Sequence, residues 1–375
     1  LGESAGNLRR CLDFMNDLHR REERLGYYAS LRVSENVGDS TAQGRYSRFM
    51  QLSSEIDATA SYQSPEIQAI PDDVMESFLE TPELEEFVIF LRKLLRWKPH
   101  VLGESEEKLL ALQEETNQTA YRGFSALTNV DMDFGTVKTD EGEVPLSQSS
   151  FSSLLQNRDR GVRENAYRQF YGVFKGHENT LATLLSGKVN LDIYRAKVRG
   201  FPNAREAALF PDKVPTSVYD TLIETVHENL GALHEYYALR KRSLRLDDLR
   251  HYDVYVPLVA DVETRHAYPQ AVELISTALD PLGAEYVETL RAGLLGGWVD
   301  RYETKGKRSG AFSSGGYDSD PFILMNYKED VLRDVFTLAH EGGHSMHSWY
   351  SKRSNPYQHY RYTIFEAEVA STFNE

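Results

Sequence analysis

The feature that most constrains this chain is the stretch Leu338-Ala-His-Glu-Gly-Gly-His-Ser-Met-His-Ser348, a His-Glu-x-x-His pentapeptide with a further histidine three residues on. On a helix, His340 and His344 stand about 6 Å apart along the axis and about 40° apart around it, so both imidazoles lean over one spot. Zinc takes nitrogen ligands at about 2.0–2.1 Å and, in catalytic sites, three protein ligands with a fourth position left to water. Glu341 points to one side, where it reaches such a water but not the metal face. Chance is the competing explanation, because a chain of 375 residues with 11 histidines can carry the pattern on a metal-free surface helix. The flanks favour the metal. Asn326-Tyr-Lys-Glu329 offers an N-cap with a glutamate three residues on, and Val331, Leu332, Val335 and Leu338 follow at helical spacing, which predicts a helix with one buried face.

Length and charge bound the rest. A chain of this length can form two or three units with cores, and 41% hydrophobic with 11% aromatic residues is ordinary globular usage. A net charge of -15 argues against a nucleic-acid or anionic-membrane partner. The single cysteine, Cys11, excludes an internal disulfide and fits a reducing compartment. No apolar run approaches 18 residues and the start shows no secretory pattern, so the expectation is a soluble, cytoplasmic protein.

Residues 1–130 read as a helical lobe. Leu8, Cys11, Leu12, Met15, Leu18 and Leu25 form a helical stripe, while Gln51 to Phe90 holds ten acidic side chains and no Lys or Arg. Such a run predicts a solvated face, cut into short helices by Pro65, Pro71 and Pro82. Near residue 131 the texture changes to a hairpin, and a domain boundary is placed there. Helices resume, with long ones expected over Glu178 to Val198 and Val214 to Leu244, and a strand over Asp253 to Leu258.

A glycine-rich loop, Ala311-Phe-Ser-Ser-Gly-Gly-Tyr317, then delivers a strand into the motif helix. A strand edge beside a metal site can hold an extended peptide by main-chain hydrogen bonds. The glycines allow close backbone approach to a ligand, and Lys305, Lys307 and Arg308 offer charge to a peptide carboxylate. A plain surface hairpin is the alternative. For a third ligand the chain offers Glu366, Glu368 and Glu375. Residues 366 and 368 lie about 200° apart on a helix beginning near Thr363, and 368 and 375 stand about 10.5 Å apart, so no two of these bind one ion together. The same arithmetic separates His347 from His340, which makes His347 a supporting or substrate-facing residue.

At these residues the sequence resembles the oligoendopeptidase F branch of the thimet-oligopeptidase-like zinc peptidases. The resembling stretches are Lys305-Gly-Lys-Arg-Ser-Gly-Ala-Phe-Ser-Ser-Gly, Pro321-Phe-Ile-Leu-Met-Asn, His340 to Ser351 and Ala367-Glu-Val-Ala-Ser-Thr-Phe-Asn-Glu375. The resemblance implies a mainly α, two-lobed metallopeptidase with a deep channel and a small antiparallel sheet near the zinc, cleaving internal bonds of short unstructured peptides. It implies His340, His344 and Glu368 as ligands of one zinc ion and Glu341 as catalytic base, with His347, Glu375, Gly315, Gly316 and Tyr317 supporting the site or facing substrate. A catalytically silent peptide-binding protein is the competing class. Gly342 replaces the larger residue usual there, and two adjacent mid-helix glycines are expected to loosen the helix or make room for substrate. The resemblance also implies a chain incomplete at both ends. Relatives place a histidine and tyrosines facing the scissile carbonyl beyond Glu375, so Tyr317, Tyr327 and His359 are the substitutes this sequence offers, and residues 327–375 are expected to leave an apolar face uncovered.

Overall fold

The computed structural model describes residues 1–259 and 265–375, with the side chains of residues 104, 114, 115 and 149 left aside. Helices dominate, and two compact units form: Leu1–Lys98 with Glu263–Glu375, and Pro99–Val262. These divisions fall elsewhere than the compositional boundary near residue 130. Among the described residues no helix is long and apolar enough to cross a membrane.

In the second unit the expected hairpin is present, β1 (Thr136–Thr139) paired antiparallel with β2 (Gly142–Pro145). It packs with helix Arg160–Gly176 around Phe134, Val137, Leu146, Val162, Ala166 and Phe170. Helix Glu178–Val198 has the expected ends. The long helix expected to follow is instead two, Thr216–Glu228 and Leu230–Ser243. Asn229 sits at the break, its side-chain amide donating to the Thr225 carbonyl at 2.8 Å, an alternative to continued helix that Gly231 makes cheaper. The strand expected over Asp253 to Leu258 does not form. Asp253 is wholly buried and accepts from Arg160 and Arg163 at 2.9 and 2.8 Å, while Arg240 donates to the carbonyls of Asp253 and Val256. The Arg240 guanidinium thus satisfies two carbonyls that a neighbouring strand would otherwise take.

In the first unit, the first helix (Ala5–Glu35) starts where Ser4 accepts the Asn7 amide. It buries Leu8 and Leu12 against Ile67, Met75, Leu84, Phe87 and Leu91. The acidic run does break into short helices, Gln63–Gln68, Asp72–Leu79 and Pro82–Phe87, and all ten of its carboxylates are exposed. Exposure does not leave all of them unpaired: Asp72 meets Lys98, Glu76 meets Arg92 and Glu86 meets Arg9.

A separate core positions the motif. Helices Tyr268–Ala278 and Ala284–Leu295 supply Tyr268, Val272, Ile275, Leu290 and Leu294, which close over Leu338, Ala339 and Met346 of the motif helix, Leu332–Ser354. Beside it lies a three-stranded sheet of β3 (Val299–Asp300), β4 (Phe312–Ser314) and β5 (Phe322–Leu324), in the order β3-β5-β4. The expected antiparallel pair is β4 with β5; β3 adds a parallel one. β4 is therefore an edge, and its Ser313 hydroxyl meets the Ser345 hydroxyl of the motif helix at 2.8 Å.

The motif helix starts later than the sequence suggests. Asn326 is no cap: its amide donates to the carbonyls of Arg308 and Gly310, bracing the loop before β4. The helix begins at Leu332, and Asp334 in its first turn accepts the Lys328 amide at 2.8 Å. Of the predicted apolar stripe, Val335 and Leu338 are buried while Val331 and Leu332 are exposed.

Candidate metal centre

The helical spacing of four brings His340 and His344 together, their ring centroids 4.9 Å apart and nearly perpendicular. The third partner arrives on the last helix, Ile364–Asn374. Its Glu368 places Oε2 at 3.3 Å from His340 Nε2 and 3.5 Å from His344 Nε2, and the three potential ligand atoms all lie within 4.8 Å of one another. Two ligands of a tetrahedral zinc with bonds of about 2.1 Å are separated by about 3.4 Å, so both carboxylate–imidazole spacings suit one ion. A donor set of two imidazoles and one carboxylate is also one that catalytic zinc uses.

The choice between Glu366 and Glu368 has a local cause. Thr363 caps the last helix, and Glu366 at the third helical position reaches back to the Thr363 amide at 3.2 Å, forming a capping box. That role turns Glu366 away from the histidines and leaves Glu368 to face them. The Ser371 hydroxyl donates to Glu368 Oε2 at 2.8 Å, which chiefly holds this carboxyl below the usual range. Asn374 ties the helix down by donating to the Ala339 carbonyl and accepting from the Tyr286 hydroxyl.

The two glycines of the motif have roles other than those expected. The helix runs unbroken through them, and both are buried. A Cβ on Gly343 would stand 2.5 Å from the Ala370 carbonyl oxygen, so this glycine lets the last helix approach closely enough for Glu368 to reach the histidines. A Cβ on Gly342 would meet only a Leu290 methyl, at 3.0 Å.

Glu341 is buried, and loss of solvent raises its carboxyl pKa, opposed by the nearby His340 and by the Ser313 backbone amide beside it. The base candidate thus stands beside the edge strand. Burial lowers the pKa of His344, countered in part by Glu368, and so favours the neutral ring that binds metal. His340 Nδ1 lies 3.2 Å from Glu375, an outer hydrogen bond that leaves Nε2 free on the other side. His347 stands outside the group of three, stacked on Tyr362 at 3.7 Å, with its own pKa lowered by burial.

The other candidates lie elsewhere. The Tyr317 hydroxyl donates to Asn355, the Tyr327 hydroxyl to His266 at 2.7 Å, and His359 meets the Glu86 carbonyl, so none of the three substitutes is free to face a carbonyl over the metal. Gly315 and Gly316 form the turn after β4, wedged against the Asp320–Pro321 backbone and the Glu23 carboxylate. Lys307 is covered, donating to the carbonyls of Asp300 and Tyr302; Arg308 lies over the Phe312 ring, and Lys305 stays exposed. Sequence reasoning missed Ser313, Ser345, Ser371 and Asn374. Only the last two carried a signal, sitting three and six residues after Glu368 on one helix. On the two helices of the site, Phe336, Ile364, Phe365, Val369 and Phe373 are exposed.

Several known proteins are similar to this chain. Residues 153–375 match the model of Peptidase family M3, and residues 66–134 match that of Oligopeptidase F. The oligoendopeptidase F homolog of Borreliella burgdorferi is 42% identical over 98% of this chain and 61% of its own length, and Oligopeptidase PepF of Bacillus subtilis is 40% identical over 100% and 56%. The chain therefore spans about three fifths of the curated relatives it matches. Among solved structures, a protein from Chlamydophila abortus superposes with a TM-score of 0.89 at 34% identity, covering all of this chain and 63% of that one. The oligoendopeptidase-F of Enterococcus faecium gives a TM-score of 0.67 at 31% identity, covering 99% and 61%. With more than half of its length under one family model, the chain belongs to peptidase family M3, in the oligoendopeptidase F group.

Proposed function

We propose that this chain carries the centre of a zinc-dependent endopeptidase acting on internal bonds of short, unstructured peptides. The observation that carries the reading is the convergence of His340, His344 and Glu368 with the buried Glu341 and the edge strand β4 beside them. His340, His344 and Glu368 would hold one zinc ion, which when bound supplies the Lewis acidity that makes a water nucleophilic near neutral pH. Glu341 takes the proton from the attacking water and returns it to the leaving amine nitrogen; its raised pKa suits a group that must both accept and release. Glu375 holds His340 in the tautomer that leaves Nε2 for the metal. The main chain of β4 takes an extended peptide, while His347 and Tyr362 face the substrate side.

In this reading the catalytic part is the unit of Leu1–Lys98 with Glu263–Glu375, which carries all three ligands, rather than residues 131–375 beside a separate helical lobe of residues 1–130. The partners are peptides rather than nucleic acid or membrane, as the net charge of -15 favours, and the compartment is the cytoplasm, which the lone Cys11 suits. The test combines zinc stoichiometry with hydrolysis of a quenched peptide. Glu341→Gln is expected to retain zinc and lose at least about 10²-fold in turnover. Wild-type protein that binds no zinc, or turnover indifferent to Glu341, would refute the proposal.

A further inference from the structure

One face of the first helix has no part in the chemistry above, yet it is spent on the turn that ends β4. Asn16, Arg20, Glu23 and Tyr27 follow one another at four, three and four residues, so they form a single stripe. Asn16 donates to Gln358 at 3.0 Å, and Arg20 pairs with Asp318. Tyr27 turns its hydroxyl toward the Gly315 backbone amide, and its ring stands 3.1 Å from where a Cβ on Gly316 would be. Glu23, with only 5% of its side chain exposed, accepts the Tyr317 amide at 2.8 Å on one oxygen and the Arg361 guanidinium at 2.7 Å with the Tyr360 hydroxyl on the other. Contacts therefore reach residues 315, 317 and 318 in turn. Gly316 has no side chain because the Glu23 carboxylate stands 2.8 Å from where a Cβ would be.

A carboxylate withdrawn from water this far needs its donors, and one of them comes from the turn rather than from a core. That turn begins one residue after β4, whose Ser313 amide lies beside Glu341. On its other side the turn is closed by Asp320 and Pro321. We propose that Glu23 is a positioning residue for peptide binding: through the Tyr317 amide it fixes the turn, and with it the strand edge on which an extended peptide lies beside Glu341. The inference rests on the peptidase reading of this site.

The test uses the Glu341→Gln background, loaded with zinc, so that a fluorescein-labelled unstructured decapeptide stays intact while its binding is read by anisotropy. Zinc affinity is measured in parallel by chelator competition. Glu23→Ala is expected to weaken peptide binding at least about tenfold, in line with the loss of a charged hydrogen bond, and Tyr27→Phe about threefold, in line with the loss of a weaker polar contact. Zinc affinity should change by less than about twofold, because none of the three ligands is touched. Arg361→Ala removes the bond to the opposite oxygen of the same carboxylate and should lower the melting temperature while leaving peptide affinity in place. Equal losses from Glu23→Ala and Arg361→Ala would mark a general structural role and overturn the proposal. So would peptide binding unmoved by Glu23→Ala and Tyr27→Phe, or a parent chain that binds no peptide. Should Glu23→Ala not fold, Tyr27→Phe decides alone. The expected peptide response on a chain that holds no zinc would sustain the clasp and sink the metallopeptidase reading instead.

Discussion

The two helices that build the metal centre are held in opposite ways. The motif helix buries Val335, Leu338, Ala339 and Met346 in a core, so its two histidines stand on a rigid element. The last helix buries only Ser371 and Asn374, both polar, and turns Val369 and Phe373 outward. Two ligands are thus fixed by apolar packing and the third by a few hydrogen bonds and one close backbone approach. Packing tolerates the loss of any one contact better than a short list of polar contacts does, so Glu368 is the vulnerable member of the set.

The sharpest test of that contrast is at the ligand itself. Glu368→Ala is expected to weaken zinc retention at least about 10²-fold, whereas Glu366→Ala loses only the capping interaction, about 1 kcal/mol of helix stability. Equilibrium dialysis of both variants checks the pair, and an emptied site in Glu366→Ala with zinc kept in Glu368→Ala would reverse the assignment. Next comes the glycine pair. Gly343→Ala drives a methyl into the Ala370 carbonyl and is expected to cost about 1–3 kcal/mol in zinc binding by displacing Glu368, while Gly342→Ala meets a Leu290 methyl that can turn aside. Equal zinc affinities for the two would mean that the helix approach does not set the third ligand.

A smaller effect is expected at Glu375→Gln, which weakens the outer hydrogen bond to His340 and should lower zinc affinity about tenfold, at the low end for such partners. Unchanged affinity would show that core packing alone orients that imidazole. Smallest of all is the response to a chelator. Removing zinc should speed amide exchange in residues 364–374 severalfold and leave residues 338–346 nearly as they were, since local opening follows the weaker packing. Uniform acceleration across both helices would erase the contrast.

How much of this was legible follows from where the physics is local. The histidine pair was readable because four residues make one turn, and the break of the acidic run was readable because proline and exposed carboxylates act where they stand. The third ligand was half readable. Arithmetic showed that residues 366 and 368 exclude each other, but Thr363-x-x-Glu366 is itself a capping-box pattern, and reading it as such would have removed Glu366 without any family comparison. Asn326 misled for the converse reason: the same kind of pattern stood before the helix, and a distant loop used the asparagine instead. The strand expected after Asp253 failed because one buried guanidinium, that of Arg240 on the preceding helix, took two of its carbonyls. Nothing in the local pattern of Glu23 pointed to Tyr317.

That last separation has a consequence in time. The bond from Tyr317 to Glu23 closes 294 residues of chain, and the bond from Arg361 closes 338. Closure over such lengths is slow relative to helix formation and requires that the distant residues exist. On a ribosome adding about 5–20 residues per second, the first helix emerges roughly 15–70 s before Arg361 is made. It does not wait unpartnered, because Leu8 and Leu12 can pack on Ile67, Met75, Leu84 and Phe87 within the first ninety residues. The half of the helix that faces this early core is apolar, and the stripe that must stay soluble until the loop arrives is Asn16, Arg20, Glu23 and Tyr27.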